Sequence, residues 1–374
     1  MGRVRILMVT PWFPTAANPV AGVFVERDAA LLSEIHDVRV VHLVDPALLS
    51  DAESSDAESS ARGFTVERIP WSRGSIRDLL SVGRRLRSLM SDADVLHTHA
   101  FQALLPLAVR RVPVPWVHSE HWSGIGDPGS LTPRGRAVLR ATGRLLRRPD
   151  IVTAVSSHLA DRIRVFRKGP IRIVPSVVSP ASVLIDPPGD PDLIRLVAVG
   201  NLVDGKDPLL ALATVRMLGE RGRRARLVWV GDGPLREALE AAAEGTSDLT
   251  LAGVQDARGV ARALDEADLF LLPTRGETLC LAALEAITHG RPVVIGAHGG
   301  QRDYITSENG VLVSERSADA YASAVIDLWE SRDARSAQSI AASVQDVYSP
   351  AAVRQGYTNA YREAVSIRRP DARD

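Results

Sequence analysis

One cysteine stands among 374 residues, Cys280, so no intramolecular disulfide framework braces this chain, and it suits a reducing compartment. Neither charge is in excess: 45 Lys and Arg balance 45 Asp and Glu, which removes the overall attraction to nucleic acid that a basic chain has. No apolar stretch approaches the length needed to span a bilayer. The opening M-G-R-V-R-I-L-M-V-T places apolar residues after basic ones. That run is far too short for a signal h-region and reads as a first strand, and Ile6 breaks the N-myristoylation pattern. G-x-x-x-x-G-K-[ST] is missing, the G-x-G at Gly231 lacks its third glycine, and H-E-x-x-H is absent. These absences leave a cytoplasmic α/β enzyme as the expected class.

What is present is an almost unbroken alternation of strand-like and helix-like segments, the pattern of parallel sheets with helices on both faces. In the first half, strands are expected near 4–10, 38–44, 65–69, 94–98, 115–118, 151–155 and 171–175, and helices near 22–35, 75–91, 100–111, 133–147 and 156–167. Residues 50–60 hold a tandem S-D-A-E-S, acidic and without a hydrophobic anchor, and read as a disordered loop. The Pro-rich stretch 179–192 marks a boundary, after which the alternation resumes. Strands fit 194–200, 226–231, 249–252, 268–273, 292–296 and 311–313; helices fit 207–219, 234–244, 257–265 and 279–289. Two domains are expected, 1–180 and 190–348, with a last helix near 350–366 packing back onto the first. Two open sheets of this kind bind ligands beyond the carboxyl ends of their strands, so a cleft facing both is expected.

Three loops of the second domain sit at such strand ends. In L-V-A-V-G-N-L-V-D-G-K-D-P, a glycine turn at Gly200 precedes Lys206 at a helix start, where a lysine can neutralise phosphate. In L-V-W-V-G-D-G-P-L, Gly231 and Gly233 permit close backbone approach, although an ordinary strand-to-helix turn explains them equally well. The third is P-T-R-G-E-T-L-C-L-A-A-L-E-A-I-T-H-G-R-P-V-V, with Glu277 at a helix mouth and Glu285 two turns inside, closed by Gly290 and Pro292. A helix mouth suits phosphate, so acids beside it need another partner, and sugar hydroxyls are the natural one. Either glutamate alone reads as an ordinary helix acid.

Taken together, these motifs resemble the retaining glycosyltransferases of family four (group 1), whose fold is GT-B, an α/β architecture of two Rossmann-like domains with parallel sheets facing a central cleft. The family's signatures occur in order: V-G-N-L-V-D-G-K, V-G-D-G-P-L, the E-x7-E unit ending H-G-R-P-V-V, G-G-Q-R-D-Y-I and N-G-V-L-V. The first half agrees through V-T-P-W-F-P, A-G-V-F-V-E, H-T-H at 97–99, H-S-E-H at 118–121 and A-V-S-S-H-L. The resemblance implies an acceptor-binding first domain and a second that binds a nucleoside-diphosphate sugar as co-substrate, with no cofactor and no required metal. It implies that Glu277 touches donor-sugar hydroxyls and that Lys206 stabilises the leaving diphosphate. The N–H groups of Leu279, Cys280 and Leu281 would hold phosphate or sugar, and Glu285 the ribose diol. Gly22 and Gly231 fall at donor-facing loops. His121 falls near the reacting centre, with His118 and His99 on the acceptor side. Where the family often has an arginine partner for the lysine, this chain has Asn201, which cannot neutralise charge. Arg275 is a candidate substitute, with a solvated loop arginine the equal alternative. Cys280 stands where the family often has glycine; a reactive thiolate and a small buried filler are its two readings. The histidine pairs could suggest a metal, but no tight carboxylate or cysteine set accompanies them in sequence.

Between Pro128 and Pro149 lie six arginines and no acid, interleaved with Leu131, Val138, Leu139, Leu145 and Leu146. The basic segment 134–148 reads either as an amphipathic helix on an anionic membrane surface or as a solvated face. The expected activity is transfer of a sugar from a nucleoside-diphosphate donor to a hydroxyl of a glycan or lipid-linked acceptor, in cell-surface polysaccharide or glycoconjugate synthesis. The expected place is the cytoplasm or the inner face of its membrane. A sugar-nucleotide epimerase of the same fold and a non-catalytic nucleotide-sugar-binding partner are the alternatives.

Overall fold

The computed structural model describes residues 2–49, 58–59, 63–72, 74–178 and 180–368. Its contacts divide the chain into two compact units, one of 1–177 with 350–374 and one of 178–349.

In the first unit, β1 (Arg5–Thr10), α1 (Val23–Ser33), β2 (Asp37–Val44), β3 (Glu58–Ser59), β4 (Thr65–Pro70) and α2 (Ile76–Leu89) come first. After them run β5 (Val95–His99), β6 (Trp116–Glu120), α3 (Ser123–Gly126), α4 (Pro133–Thr142), β7 (Ile151–Ala154), α5 (Ser157–Arg164) and β8 (Ile171–Ile173). The sheet order is β3-β4-β2-β1-β5-β6-β7-β8, parallel except for the β3–β4 pair. The chain therefore winds outward from β1 on one side, then returns to β5 on the other. That reversal between β1 and β5 is the topological switch point, where a crevice opens at the carboxyl ends of the strands. β1, β5, β6 and β7 are covered on both faces, which is why β1 and β7 run in Ile, Leu, Met and Val without alternation, while β5 and β6 carry buried His, Thr, Ser and Glu beside their apolar residues.

Three expectations need correction here. Residues 50–57 and 60 lie outside the described residues, but Glu58–Ser59 pair with β4 as a short antiparallel strand. The helix expected over 100–111 is a 3-10 turn, Phe101–Leu107, because Pro106 removes a donor inside it and Ala100 enters with φ 64°. The basic segment is likewise not one helix: α4 ends at Thr142 and Gly143–Arg147 tightens into a 3-10 turn, where the Phe166 ring lies against Gly143.

The second unit has β9 (Ile194–Val199), α6 (Pro208–Glu220), β10 (Ala225–Val230), α7 (Arg236–Ala242), β11 (Leu249–Gly253), α8 (Ala257–Asp265) and β12 (Leu269–Leu272). It continues with α9 (Leu281–Thr288), β13 (Val293–Gly296), β14 (Gly310–Val313), α10 (Ala318–Glu330) and α11 (Ala337–Tyr348). Its order, β11-β10-β9-β12-β13-β14, is parallel throughout, with the switch point between β9 and β12. Arg291 is fully buried in this unit, donating from Nε to the Leu264 carbonyl at 2.8 Å and from Nη2 to those of Ile185 and Asp265 at 2.8 and 3.0 Å. It thereby ties the Pro-rich stretch to α8. Asp268 does the same from β12's entry, accepting from Gly189 N–H at 2.9 Å and Arg195 N–H at 2.8 Å.

The last helix, α12 (Pro350–Arg368), returns to the first unit. Val353, Tyr357, Ala360, Tyr361 and Ala364, spaced three and four apart, form one buried stripe and join a single apolar cluster with residues of β1, α1, β2 and β5. Five side chains of the first unit's core thus come from the far end of the chain.

Candidate active site

In the second unit the functional loops leave β9, β10 and β12, the three neighbouring strands around the switch point. Lys206 follows β9, Glu277 follows β12, and the two meet as an ion pair between Nζ and Oε1, with side chains 24% and 12% exposed. Burial opposes the lysine's charge; the Glu277 carboxylate outweighs it, so the ammonium lies above the ordinary lysine value. Thr274 stands beneath the pair, its Oγ1 2.9 Å from Glu277 Oε1 and 3.0 Å from the Gly205 carbonyl, while Arg275 N–H donates to the same carbonyl at 2.8 Å. Two loops 70 residues apart in sequence are therefore stitched together where the pair forms.

Glu277 lies in the loop ahead of α9, which begins at Leu281, and Glu285 stands one turn inside the helix rather than two. Tyr304 sits at this helix entry. Its buried hydroxyl is within 2.9 Å of the Leu279 carbonyl and 3.1 Å of the Cys280 carbonyl. In trans peptides the N–H opposes the C=O, so this turns the amides of Cys280 and Leu281 away from Tyr304. The first-turn N–H groups of α9 have no intrahelical acceptor. Cys280 itself is the left-handed residue before the helix, with φ 67°. Its thiol is buried and pushed up to about 12, first by burial and then by the Glu277 charge. It is a filler, not a thiolate.

Gly231 follows β10 with φ 134°, and a Cβ there would lie 2.1 Å from the Gly200 carbonyl oxygen, so only glycine fits. Asn201 is exposed and lends its carbonyl to Val203 N–H at 2.9 Å. Arg275 is 57% exposed and its Nη2 lies 3.7 Å from Asp207 Oδ2, a carboxylate that also pairs with Arg316. The loop arginine is thus held at Asp207 beside Lys206.

In the first unit the histidines divide by face, as strand alternation requires. Thr98, His118 and Glu120 point one way. Thr98 Oγ1 accepts from Trp116 Nε1 at 2.9 Å, so it donates to His118 Nδ1 at 2.9 Å, and His118 Nε2–H then donates to Glu120 Oε2 at 3.2 Å. Glu120 Oε1 accepts from the backbone N–H of His121 at 2.9 Å and of Trp122 at 2.8 Å. His97, His99 and Ser119 belong to another network. His97 bonds Tyr361 and Ser119, each at 2.7 Å, and Ser119 reaches Thr153 at 2.6 Å.

His118 and His99, expected on the acceptor side, are fully buried and spent on neighbours within the unit. His118 serves instead to orient the carboxylate that fixes the His121 backbone. His99 backs His121: the rings are nearly parallel (5°) with centroids 5.5 Å apart and meet edge to edge, Nδ1 lying 3.3 Å from His121 Nε2. Phe24 covers His121 with ring centroids 4.8 Å apart. Burial first, then His118, pushes the His121 imidazole down to about 3; burial also lowers His97 and His99, so all three are neutral near pH 7. Gly22 opens α1 with φ 67°, its Cα so close to the Trp12 backbone that a Cβ would lie 2.3 Å away.

Asp28 joins this cluster from α1, unannounced by any motif. It is buried, its Oδ2 accepts from Tyr357 at 2.8 Å, and burial pushes it up to about 7. Asp28, His99 and His121 bring one donor atom each within 4.8 Å of one another, the only such trio among the described residues. His99 Nδ1 already faces His121 Nε2 and Asp28 Oδ2 is taken by Tyr357, so we read a hydrogen-bonded cluster rather than a metal centre. Glu120, Thr274 and Tyr304 were also missed from sequence. Strand alternation in H-S-E-H could have found Glu120, which must share His118's face.

Comparison with known proteins gives the family and the fold. The profile described as "Glycosyl transferases group 1" matches residues 194–331, and that described as "Glycosyltransferase Family 4" matches residues 25–182. A GDP-mannose-dependent alpha-(1-6)-phosphatidylinositol monomannoside mannosyltransferase of Mycobacterium tuberculosis is 30% identical over 367 residues, 88% of this chain and 90% of that protein. A D-inositol 3-phosphate glycosyltransferase of Frankia alni is 31% identical over 313 residues, 73% of this chain and 75% of that one. The corresponding dimannoside mannosyltransferase of M. tuberculosis is 35% identical over 126 residues, 34% of this chain, which spans only a third of that relative's length. Among solved structures, sucrose-phosphate synthase of Thermosynechococcus elongatus superposes with a TM-score of 0.75 at 19% identity, covering 98% of this chain and 100% of the other. HepE of Anabaena with UDP and glucose gives 0.75 at 16% identity, covering 96% and 100%. These two likenesses establish the fold, GT-B.

Proposed function

The chain belongs to the family-four (group 1) glycosyltransferases, and from that premise we propose that it moves a hexose from a nucleoside-diphosphate donor to a hydroxyl of a lipid-linked glycan. The observation that carries this reading is the Lys206–Glu277 pair at the second unit's switch point, beside the outward-turned amides at the start of α9. As the sugar–phosphate bond breaks, negative charge grows on the departing diphosphate, and Lys206 with those amides stabilises it. Such preorganised donors contribute about 3–4 kcal/mol each. Glu277 holds the lysine before the donor arrives and then accepts from hydroxyls of the sugar. Glu285, half-buried in α9, takes the ribose diol. Gly231 and Asn201 line the donor's approach within the second unit, and Arg275 supplies charge near the diphosphate that Asn201 does not; Gly22 belongs to the first unit's corresponding loop. Within the first unit, His121 is the candidate polar contact for a sugar. The M. tuberculosis relative supports a GDP-hexose donor and a phosphoinositide glycoside acceptor as the first pair to try.

The basic segment supports docking at an anionic membrane surface. Arg134, Arg140, Arg144 and Arg147 are exposed around Val138, itself 60% exposed, while Arg148 is used on the carbonyls of Leu107 and Arg110. No helix among the described residues is long and apolar enough to cross a membrane. Sedimentation with anionic vesicles at low salt should carry the protein down, and its remaining in the supernatant would remove this part of the proposal.

The deciding experiment is nucleotide release from a panel of UDP- and GDP-hexoses, with and without lipid-linked acceptors. Release should depend on acceptor and fall at least 100-fold in Lys206→Ala and Glu277→Ala. Donor binding without release in the unaltered protein would make it a binding partner instead.

A further inference from the structure

The cluster behind His121 contains two buried polar atoms with no hydrogen-bond partner, Asp28 Oδ1 and His99 Nε2. Both belong to side chains with no exposed surface. A buried carboxylate keeps one oxygen bare only at a cost, and its field acts on whatever proton is nearby. The nearby protons are those of the two edge-to-edge imidazoles. A single hydrogen joins His99 Nδ1 and His121 Nε2 across 3.3 Å, so the tautomer of one ring dictates that of the other. We propose that Asp28, held by Tyr357 of the terminal helix, is a positioning residue that sets which nitrogen of His121 carries its proton.

The coupling runs in definite steps. Ionised Asp28 favours a proton on His99 Nε2, the nitrogen otherwise without a partner. His99 Nδ1 is then the acceptor, His121 Nε2–H the donor, and His121 Nδ1 presents a lone pair. Neutral Asp28 withdraws that bias, and with the proton on His99 Nδ1 the order reverses, so that His121 Nδ1–H becomes a donor. One proton moves on each ring and neither becomes an imidazolium, because burial keeps both neutral. Every charged or titratable group around Asp28 fits this account. Tyr357 donates to it and Tyr361 lies nearby, both from α12; Arg27 acts from its own helix; His99 and His121 face it from the ends of β5 and β6. The consequence for the reaction rests on the reading that His121 is a sugar contact: the Asp28 charge decides whether a sugar hydroxyl finds an acceptor or a donor there.

The test needs no turnover, which separates it from the function itself. Nitrogen-15 spectra of the full chain labelled at histidine report each ring's tautomer across pH 5.5 to 8.5. The His99 and His121 patterns should invert together near pH 7, and Asp28→Asn should abolish the inversion. Tyr357→Phe removes a bond that favours the carboxylate and should move the midpoint up by about one pH unit. Tyr361→Phe, which cuts the bond to His97 instead, should leave it in place and serves as the packing control. In the transfer assay Asp28→Asn should flatten the kcat profile around pH 7 while leaving the KM for donor within about twofold. Patterns that do not invert, or an inversion that survives in Asp28→Asn, would overturn the proposal. So would a pattern that changes on dialysis against EDTA, because it would assign the cluster to a metal.

Discussion

Replacing Asp28 with asparagine should stabilise the first unit in neutral and alkaline solution. Asp28 has no exposed surface, and burial moves its carboxyl from an ordinary value of 3.8 to about 7. That displacement corresponds to about 4 kcal/mol of preference for the neutral form in the folded state. The sign follows from proton counting. Between pH 4 and 7 the folded chain holds a proton on Asp28 that the unfolded chain has released, so stability falls as pH rises and levels off above 7. The three neutral histidines act oppositely: below pH 6.5 the unfolded chain binds protons that they do not, and stability falls as pH drops. The wild-type curve therefore mixes two slopes, and only its difference from the variant isolates Asp28. That difference should favour the variant by up to about 4 kcal/mol at pH 8 and shrink by about 2–3 kcal/mol at pH 5. Hydrogen exchange of peptides from α1 and α12, compared between the two proteins at each pH, reads it. A difference that stays constant from pH 5 to 8 would refute the assignment of a buried, neutralised carboxyl.

Gly231→Ala places a methyl against the Gly200 carbonyl and should cost about 2–4 kcal/mol, seen as a lower denaturation midpoint of the second unit. Thr274→Val keeps the shape but removes the hydroxyl that links Gly205 to Glu277, and kcat should drop about tenfold, the worth of one such bond. Cys280 should resist a thiol reagent at pH 8 while the protein is folded and react fully once it is unfolded; fast reaction of the native protein would contradict its burial.

Most strands and helices were legible because covered parallel strands and amphipathic helices leave strong local patterns. β1, β2, β9 and β12 fall within a residue or two of their expected ranges. The donor loops were legible through glycines and charges at fixed spacing. What escaped the sequence depends on partners far along the chain. His97 read as half of a histidine pair at a strand end until Tyr361, 264 residues on, proved to be its partner. Asp28 sits mid-helix among ordinary residues, and only the return of Tyr357 makes it a buried acid. For Arg275 the substitute and the solvated reading stood equal, because Asp207 and Arg316 lie on other loops. Propensity and spacing carry no information about such distant meetings.

The position of α12 also orders events during synthesis. Domains usually fold as they emerge, with the amino-terminal one first. Here the first unit lacks Val353, Tyr357, Ala360, Tyr361 and Ala364 until the final helix leaves the ribosome, while residues 178–349 have everything they need earlier. The unit translated first is therefore the last to be finished. A nascent chain halted before Pro350 would carry a closed second unit beside an open apolar seam, the kind of surface that chaperones hold until the missing helix arrives.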